Sequence, residues 1–153
     1  MGTKGLPNQP LKKLVAHDAK CRHCQTCMLV CSMLHESGQS SLQQARLRVE
    51  WSLDQHQARL TICTHCRRPM CIEADCPTGA IGQDQKTGLV VIDPHDCIGC
   101  GQCKEACPFG AIIHDPVQGI CKKCDLCEGR AEGPACVQFC PVGALRLKER
   151  EPV

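Results

Sequence analysis

The sequence predicts a small α+β fold in which short hairpins and short helices wrap around metal-bearing loops, and three observations predict it. Aromatic residues are nearly absent (Trp51, Phe109 and Phe139, with no tyrosine), while 13 glycines and 10 prolines punctuate the chain, so aromatic packing does not fill the core. Seventeen cysteines in 153 residues gather into four groups. One module is written three times, CPTGAI from Cys76, CPFGAI from Cys107 and CPVGAL from Cys140, each closing a cysteine run.

The third group is the most regular: CIGCGQCKEACP places Cys97, Cys100, Cys103 and Cys107 in C-x2-C-x2-C-x3-C-P. This is the bacterial-type [4Fe–4S] spacing, in which three thiolates on a turning loop hold one cubane and the fourth reaches the neighbouring one. Group one has the same spacing at Cys21, Cys24, Cys27 and Cys31, with Ser32 in place of the proline. Group two is looser, C-x2-C-x4-C-x4-C-P over Cys63, Cys66, Cys71 and Cys76. Group four admits two parsings. Taking Cys121, Cys124, Cys127 and Cys140 leaves Cys136 idle; taking Cys124, Cys127, Cys136 and Cys140 leaves Cys121. The second keeps C-x3-C-P and adds EGRAEGPA before the third ligand, so Cys121 is read as the spare.

Two other uses of cysteine fit worse. A zinc ribbon takes ligands in two pairs rather than triads with a remote Cys-Pro. A disulfide scaffold calls for secretion, and Met1 to Lys20 carries no apolar signal core, while no run approaches a membrane span. A reducing cytoplasm is the expected compartment, where regularly spaced cysteines hold metal more often than they cross-link.

In a two-cluster ferredoxin each half lends its last cysteine to the other. Groups two and three, joined by IGQDQKTGLVVIDPHD, form the expected inner unit over 63–112, with clusters on Cys63, Cys66, Cys71 plus Cys107 and on Cys97, Cys100, Cys103 plus Cys76. Groups one and four then pair across the chain as an outer unit, 21–36 with 121–147: Cys21, Cys24, Cys27 plus Cys140, and Cys124, Cys127, Cys136 plus Cys31. The expected architecture is thus two nested bacterial-ferredoxin-like units in a domain of 21–148, between an N-terminal arm of 1–20 and a tail of 149–153.

Apolar alternation through Leu47, Val49 and Trp51, and again at Leu60 and Ile62, predicts a β-hairpin turning at 54–57. Lys86-Thr87-Gly88 marks a turn before the apolar run 89–92. Short helices are expected near Cys27 (MLVCSMLHE) and Cys103 (KEACP), with loop elsewhere. The formal charge is +2 without a basic run, which leaves no electrostatic footprint for nucleic acid. Four oxidised cubanes with their thiolates would take the net charge to about −6. Lys104, Lys122 and Lys123 could offset that charge, although solvated surface lysines are the plainer expectation.

No G-x-G-x-x-G, P-loop or catalytic triad spacing is present, so the chain reads as a carrier of electrons with no catalytic residue of its own. His23 and His65 sit inside ligand loops and read as exposed or backbone-bonded, with a hydrogen bond to cluster sulfur the sharper alternative. A further class, a structural metal-binding interaction module, would bind zinc and be colourless.

The four groups in this order, with KCDLC…PACVQFCPVGAL, resemble the four-cluster ferredoxin-type subunits of dimethyl sulfoxide reductase, formate hydrogenlyase and carbon monoxide dehydrogenase systems over about 20–148. The resemblance implies four [4Fe–4S] clusters, the nested ligand pairing and Cys121 as the spare. It departs at the x4 gap before Cys76, where these relatives often have x3. The stretch CMLVCSMLHESGQSSLQQARLRV is similar to ferredoxin subunits accompanying tungsten- or molybdenum-pterin aldehyde oxidoreductases and their relatives in benzoyl-CoA reduction, with Ser37 standing between His35-Glu36 and Gly38. That likeness implies a metallopterin catalytic subunit and a flavin/NAD-binding subunit as partners. A nickel hydrogenase or carbon monoxide dehydrogenase is the alternative partner. The N-terminal arm and the hairpin near Trp51 are the expected docking elements, for a partner or for self-association.

Overall fold

The computed structural model describes residues 12–36 and 41–150. Among the described residues its regular structure is four antiparallel two-stranded ribbons, four short α-helices and two 3-10 turns (Asp18–Lys20 and Leu42–Gln44), the small ferredoxin-like arrangement expected where loops rather than sheets carry the core. Strand β1 (Lys12–Ala16) pairs with β8 (Leu145–Glu149), which joins the two ends of the described chain. Leu14 faces Leu147 across this ribbon and is only 2% exposed. The arm expected over 1–20 therefore contributes a strand and a core residue from Lys12 onward; residues 1–11 lie outside the described ones, as do 37–40 and 151–153.

The expected hairpin is β2 (Arg48–Ser52) with β3 (Gln57–Thr61). Val49 opposite Leu60 faces the core and Glu50 opposite Arg59 faces out, the period-two alternation seen in the sequence. Trp51 continues the inner face past the end of the core, is 50% exposed, and meets the ring of His23 edge-on at 6.1 Å.

Two further ribbons share one turn. In β4 (Ile81–Gln83) and β5 (Val90–Ile92), the Asp84 carboxylate accepts the N–H groups of Lys86 and Thr87 at 2.8 and 2.7 Å, and Gly88 closes the turn at φ 70°. In β6 (Ile113–Asp115) and β7 (Ile120–Lys122), Asp115 accepts from Val117 and Gln118 at 2.8 and 3.2 Å, and Gly119 closes it at φ 66°. The second ribbon stands where the sequence suggested loop. Its cue is the repeated Asp-x3-Gly, an Asp side chain replacing backbone partners in a tight turn.

Helix α1 (Thr26–His35) was expected. Three single-turn helices, α2 (Met70–Glu73), α3 (Gln102–Glu105) and α4 (Ala135–Gln138), complete the set, and only α3 was anticipated. Pro69 and Pro134 stand immediately before α2 and α4, where a missing N–H costs nothing. Helix α1 packs on α4, and α2 on α3. The core is split accordingly: one apolar cluster centres on Leu14, Met28, Leu47, Val49, Leu60 and Leu145, and a smaller one on Ile81, Val90 and Ile112, with cysteines built into both.

Candidate metal centres

Each group opens with the same local device. Two residues after the first cysteine the backbone turns left-handed, at His23 (φ 55°), His65 (φ 48°), Gly99 (φ 69°) and Leu126 (φ 58°). That conformation costs an L-residue on the order of 1–3 kcal/mol, which is met at His23, His65 and Leu126 and avoided by Gly99, so its recurrence at one position in all four loops marks a functional constraint. In three of the loops it turns the N–H of that residue onto the first sulfur: His23 to Cys21 at 3.5 Å, His65 to Cys63 at 3.4 Å, Leu126 to Cys124 at 3.3 Å. The third cysteine of each group then enters a helix: Cys27 in α1, Cys71 in α2, Cys103 in α3, Cys136 in α4.

The remote cysteines share a second device. In each C-P-x-G module the glycine N–H bonds back to the cysteine carbonyl, Gly79 to Cys76, Gly110 to Cys107 and Gly143 to Cys140, at 3.0–3.3 Å. The turn aims a later N–H at sulfur: Ala111 to Cys107 at 3.4 Å and Ala144 to Cys140 at 3.2 Å. Cys31, lacking the module, receives the N–H of Arg46 at 3.4 Å instead. Thr78 sets its hydroxyl 3.6 Å from Cys76 and, with nearby N–H groups, lowers that thiol to about 7.

All seventeen cysteines are unbridged, and they converge in sets. Burial, then the charges of Cys21, Cys140 and Cys24, pushes the Cys27 thiol up to about 12. Burial raises Cys71, which feels Cys63 and Cys107. Burial lifts Cys136 to about 12, with Cys31 and Cys127 beside it. Cys103, raised by burial to about 12, feels Cys121 and Cys97, and Cys76 packs on the same small cluster. Sets that bring buried thiols, raised by desolvation, together with thiols that receive N–H donors at sulfur fit iron–sulfur cubanes, whose iron holds thiolates outright and whose potentials respond to such hydrogen bonds.

Cys121 lies apart from the group-four loop. It is a strand residue in β7, its N–H donates to Cys97 at 3.3 Å, and its thiol lies beside that of Cys103, each influencing the other's ionisation. Lys123, two residues on, has no left-handed backbone, whereas Leu126, two residues after Cys124, does.

The polar surroundings contain the groups that sequence reading missed. Lys122 and Lys123 are 7% and 4% exposed, against the expectation of surface lysines; of the three lysines singled out, only Lys104 is exposed. Lys122 bonds Glu36 and Asp115 at 2.6 Å each, tying the end of α1 to the β6–β7 ribbon. Burial would raise the Asp115 carboxyl, but the bond from Lys122 and two backbone N–H groups hold it at about 2. Lys123 donates to the carbonyls of Val90 and, at 3.1 Å, Cys124. Between Cys124 and Cys127, Asp125 accepts from His35 at 3.1 Å and Arg46 at 2.8 Å. The Asp125 bond, then Cys31, raises His35 to about 10, in the direction of the charged form.

His65 contrasts with His35. It is 2% exposed, its Nδ1 accepts the Val90 N–H at 3.2 Å, and burial with the charges of Lys123 and Arg150 lowers it to about 3.

A family model described as "4Fe-4S dicluster domain" matches residues 55–150, and one described as "4Fe-4S binding domain" matches 18–34. The chain belongs to the 4Fe-4S dicluster domain family. Thiosulfate reductase electron transfer subunit PhsB of Salmonella typhi is 36% identical over 90% of this chain and 78% of its own length. NADH-dependent phenylglyoxylate dehydrogenase subunit beta of Aromatoleum evansii is 34% identical over 84% of this chain and 28% of its own. Putative oxidoreductase AegA of Escherichia coli K12 is 36% identical over 88% of this chain, which spans 21% of AegA. Among solved structures, the active site complex BamBC of Benzoyl Coenzyme A reductase with 1,5 Dienoyl-CoA aligns at TM-score 0.59 and 25% identity, covering 95% of this chain and 80% of that one. The dicluster-family chain is an iron–sulfur electron-transfer protein that binds several [4Fe–4S] clusters, and its cysteines accommodate four. No helix among the described residues is long and apolar enough to cross a membrane.

Proposed function

We propose that this chain is a cytoplasmic, non-catalytic subunit that relays single electrons between a tungsten- or molybdenum-pterin aldehyde oxidoreductase-type subunit and a flavin/NAD-type redox partner. Four [4Fe–4S] clusters supply the one-electron chemistry. The observation that carries the reading is the left-handed residue recurring at one position in all four loops.

The ligand sets are proposed as Cys21, Cys24, Cys27, Cys140; Cys63, Cys66, Cys71, Cys107; Cys97, Cys100, Cys103, Cys76; and Cys124, Cys127, Cys136, Cys31. Contacts of α2 with α3 and of α1 with α4 support an inner ferredoxin-like unit enclosed by an outer one. In this arrangement the chain's own groups do three things. Backbone N–H groups stabilise the thiolates, the cations His35 and Lys123 offset the negative clusters, and buried packing excludes water.

An open groove of about 870 Å³ supports a docking place for one partner. Lys13, Arg59, Arg67, Lys148 and Arg150 line it, beside Pro108 and Phe109 next to Cys107. The resemblance of the Cys27–Val49 segment and the fold likeness to BamBC support the metallopterin reading. NADH in the name of the phenylglyoxylate dehydrogenase relative supports a nicotinamide-linked partner. Metal analysis of the complex that co-purifies anaerobically tests it: tungsten or molybdenum beside iron is the expected result, and nickel would assign the wire to a hydrogenase or carbon monoxide dehydrogenase.

A further inference from the structure

His65 is the second residue of the x2 in C-T-H-C, and its side chain has no surface role, being 2% exposed. Its ring is wedged between the group-two loop that carries it and the Lys123–Asp125 segment of group four. Nδ1 accepts the Val90 N–H at 3.2 Å, with Lys123 Nζ at 3.5 Å on the same atom. A ring nitrogen that accepts carries no proton, so in the neutral imidazole the proton sits on Nε2. Nε2 is buried and has no hydrogen-bond partner among the described residues. The Cys124 carbonyl lies near enough to favour a protonated ring, but Nε2 makes no hydrogen bond to it, and it receives Lys123 at 3.1 Å. A buried donor with a fixed tautomer that completes no hydrogen bond to the protein leaves a place for an acceptor that the polypeptide does not supply.

We propose that His65 Nε2–H donates to sulfur of the cubane pair that meets between the Cys63 and Cys124 loops, making His65 a positioning residue that raises the potential of one cluster. The inference rests on the cluster reading above. It also gives the bridge between the inner and outer units a potential set by a side chain rather than by backbone alone. A hydrogen bond to sulfur favours the reduced, more negative cluster.

The test uses anaerobic holoprotein labelled with ¹⁵N-histidine. Electron–nuclear double resonance on the reduced protein is expected to show ¹⁵N and exchangeable-proton couplings that vanish in His65→Leu. Leucine is tolerated at this position of the fourth loop, where Leu126 holds the same backbone. In His65→Leu one cluster is expected to become about tenfold harder to reduce at fixed potential, about 59 mV for one electron. The other clusters stay in place, and His65→Asn, which keeps a donor, restores part of the shift. Absence of any histidine coupling in wild-type protein that carries its full iron would overturn the hydrogen bond while leaving the clusters standing. Unchanged potentials in His65→Leu would overturn it as well. Missing iron in the wild type would instead remove the cluster reading on which the inference rests.

Discussion

The C-I-G-C and C-T-H-C loops use one backbone conformation for different ends. At Gly99 the left-handed turn brings the chain so close to the β6–β7 ribbon that an added Cβ would meet the Gly119 carbonyl oxygen at 2.0 Å. At His65 the equivalent turn leaves room for a whole imidazole, which fills the space between two cysteine groups and ties β5 to the loop. The first loop is closed by backbone packing against its neighbour, and the second by a side chain. One geometry at the first sulfur is therefore compatible with quite different supports behind it.

The comparison breaks most sharply at Gly99. In Gly99→Ala, strain and overpacking against a backbone atom that cannot swing away should together cost on the order of 4 kcal/mol. The loop and its cluster should go first, measured as a drop in thermal stability together with loss of about a quarter of the iron. His65→Gly should cost less, about 1–3 kcal/mol, because it eases the backbone but orphans the buried Val90 N–H. Thermal unfolding of the anaerobic holoprotein would rank the two, and a larger loss for His65→Gly would reverse the account of what supports each loop.

A third contrast is in pH dependence, where His65 and His35 act in opposite directions. His35 has its folded value raised from 6.5 to about 10, so its stabilisation is full below 6.5 and is lost as pH rises toward 10. His65 has its folded value lowered from 6.5 to about 3, so its contribution is present above 6.5 and is lost as pH falls toward 3. His35→Gln should flatten only the alkaline limb of a stability–pH curve. A change confined to the acid limb would mean that the Asp125 contact does not hold the imidazolium.

The cysteine groups, their order and the hairpin around Val49 were all legible in the sequence, because spacing and alternation are local patterns. What escaped was non-local. Lys122 reads as surface charge, since its acidic partners Glu36 and Asp115 lie 86 and 7 residues away. Strand β1 has only the three-residue apolar run Leu14, Val15 and Ala16 to announce it, and its partner is at the other end of the described chain. For His65 the expected backbone bond is present, from the Val90 N–H, but nothing local shows that Lys123 will close over the ring and bury it.

Four cubanes with Cys121 as the spare is the central claim, and iron and acid-labile sulfide per chain measure it most directly in wild type, Cys121→Ala and Cys136→Ala. About sixteen irons in the first two proteins, and about twelve in Cys136→Ala, is the predicted result. A wild-type chain with about eight irons, or a loss in Cys121→Ala that Cys136→Ala does not show, would contradict it.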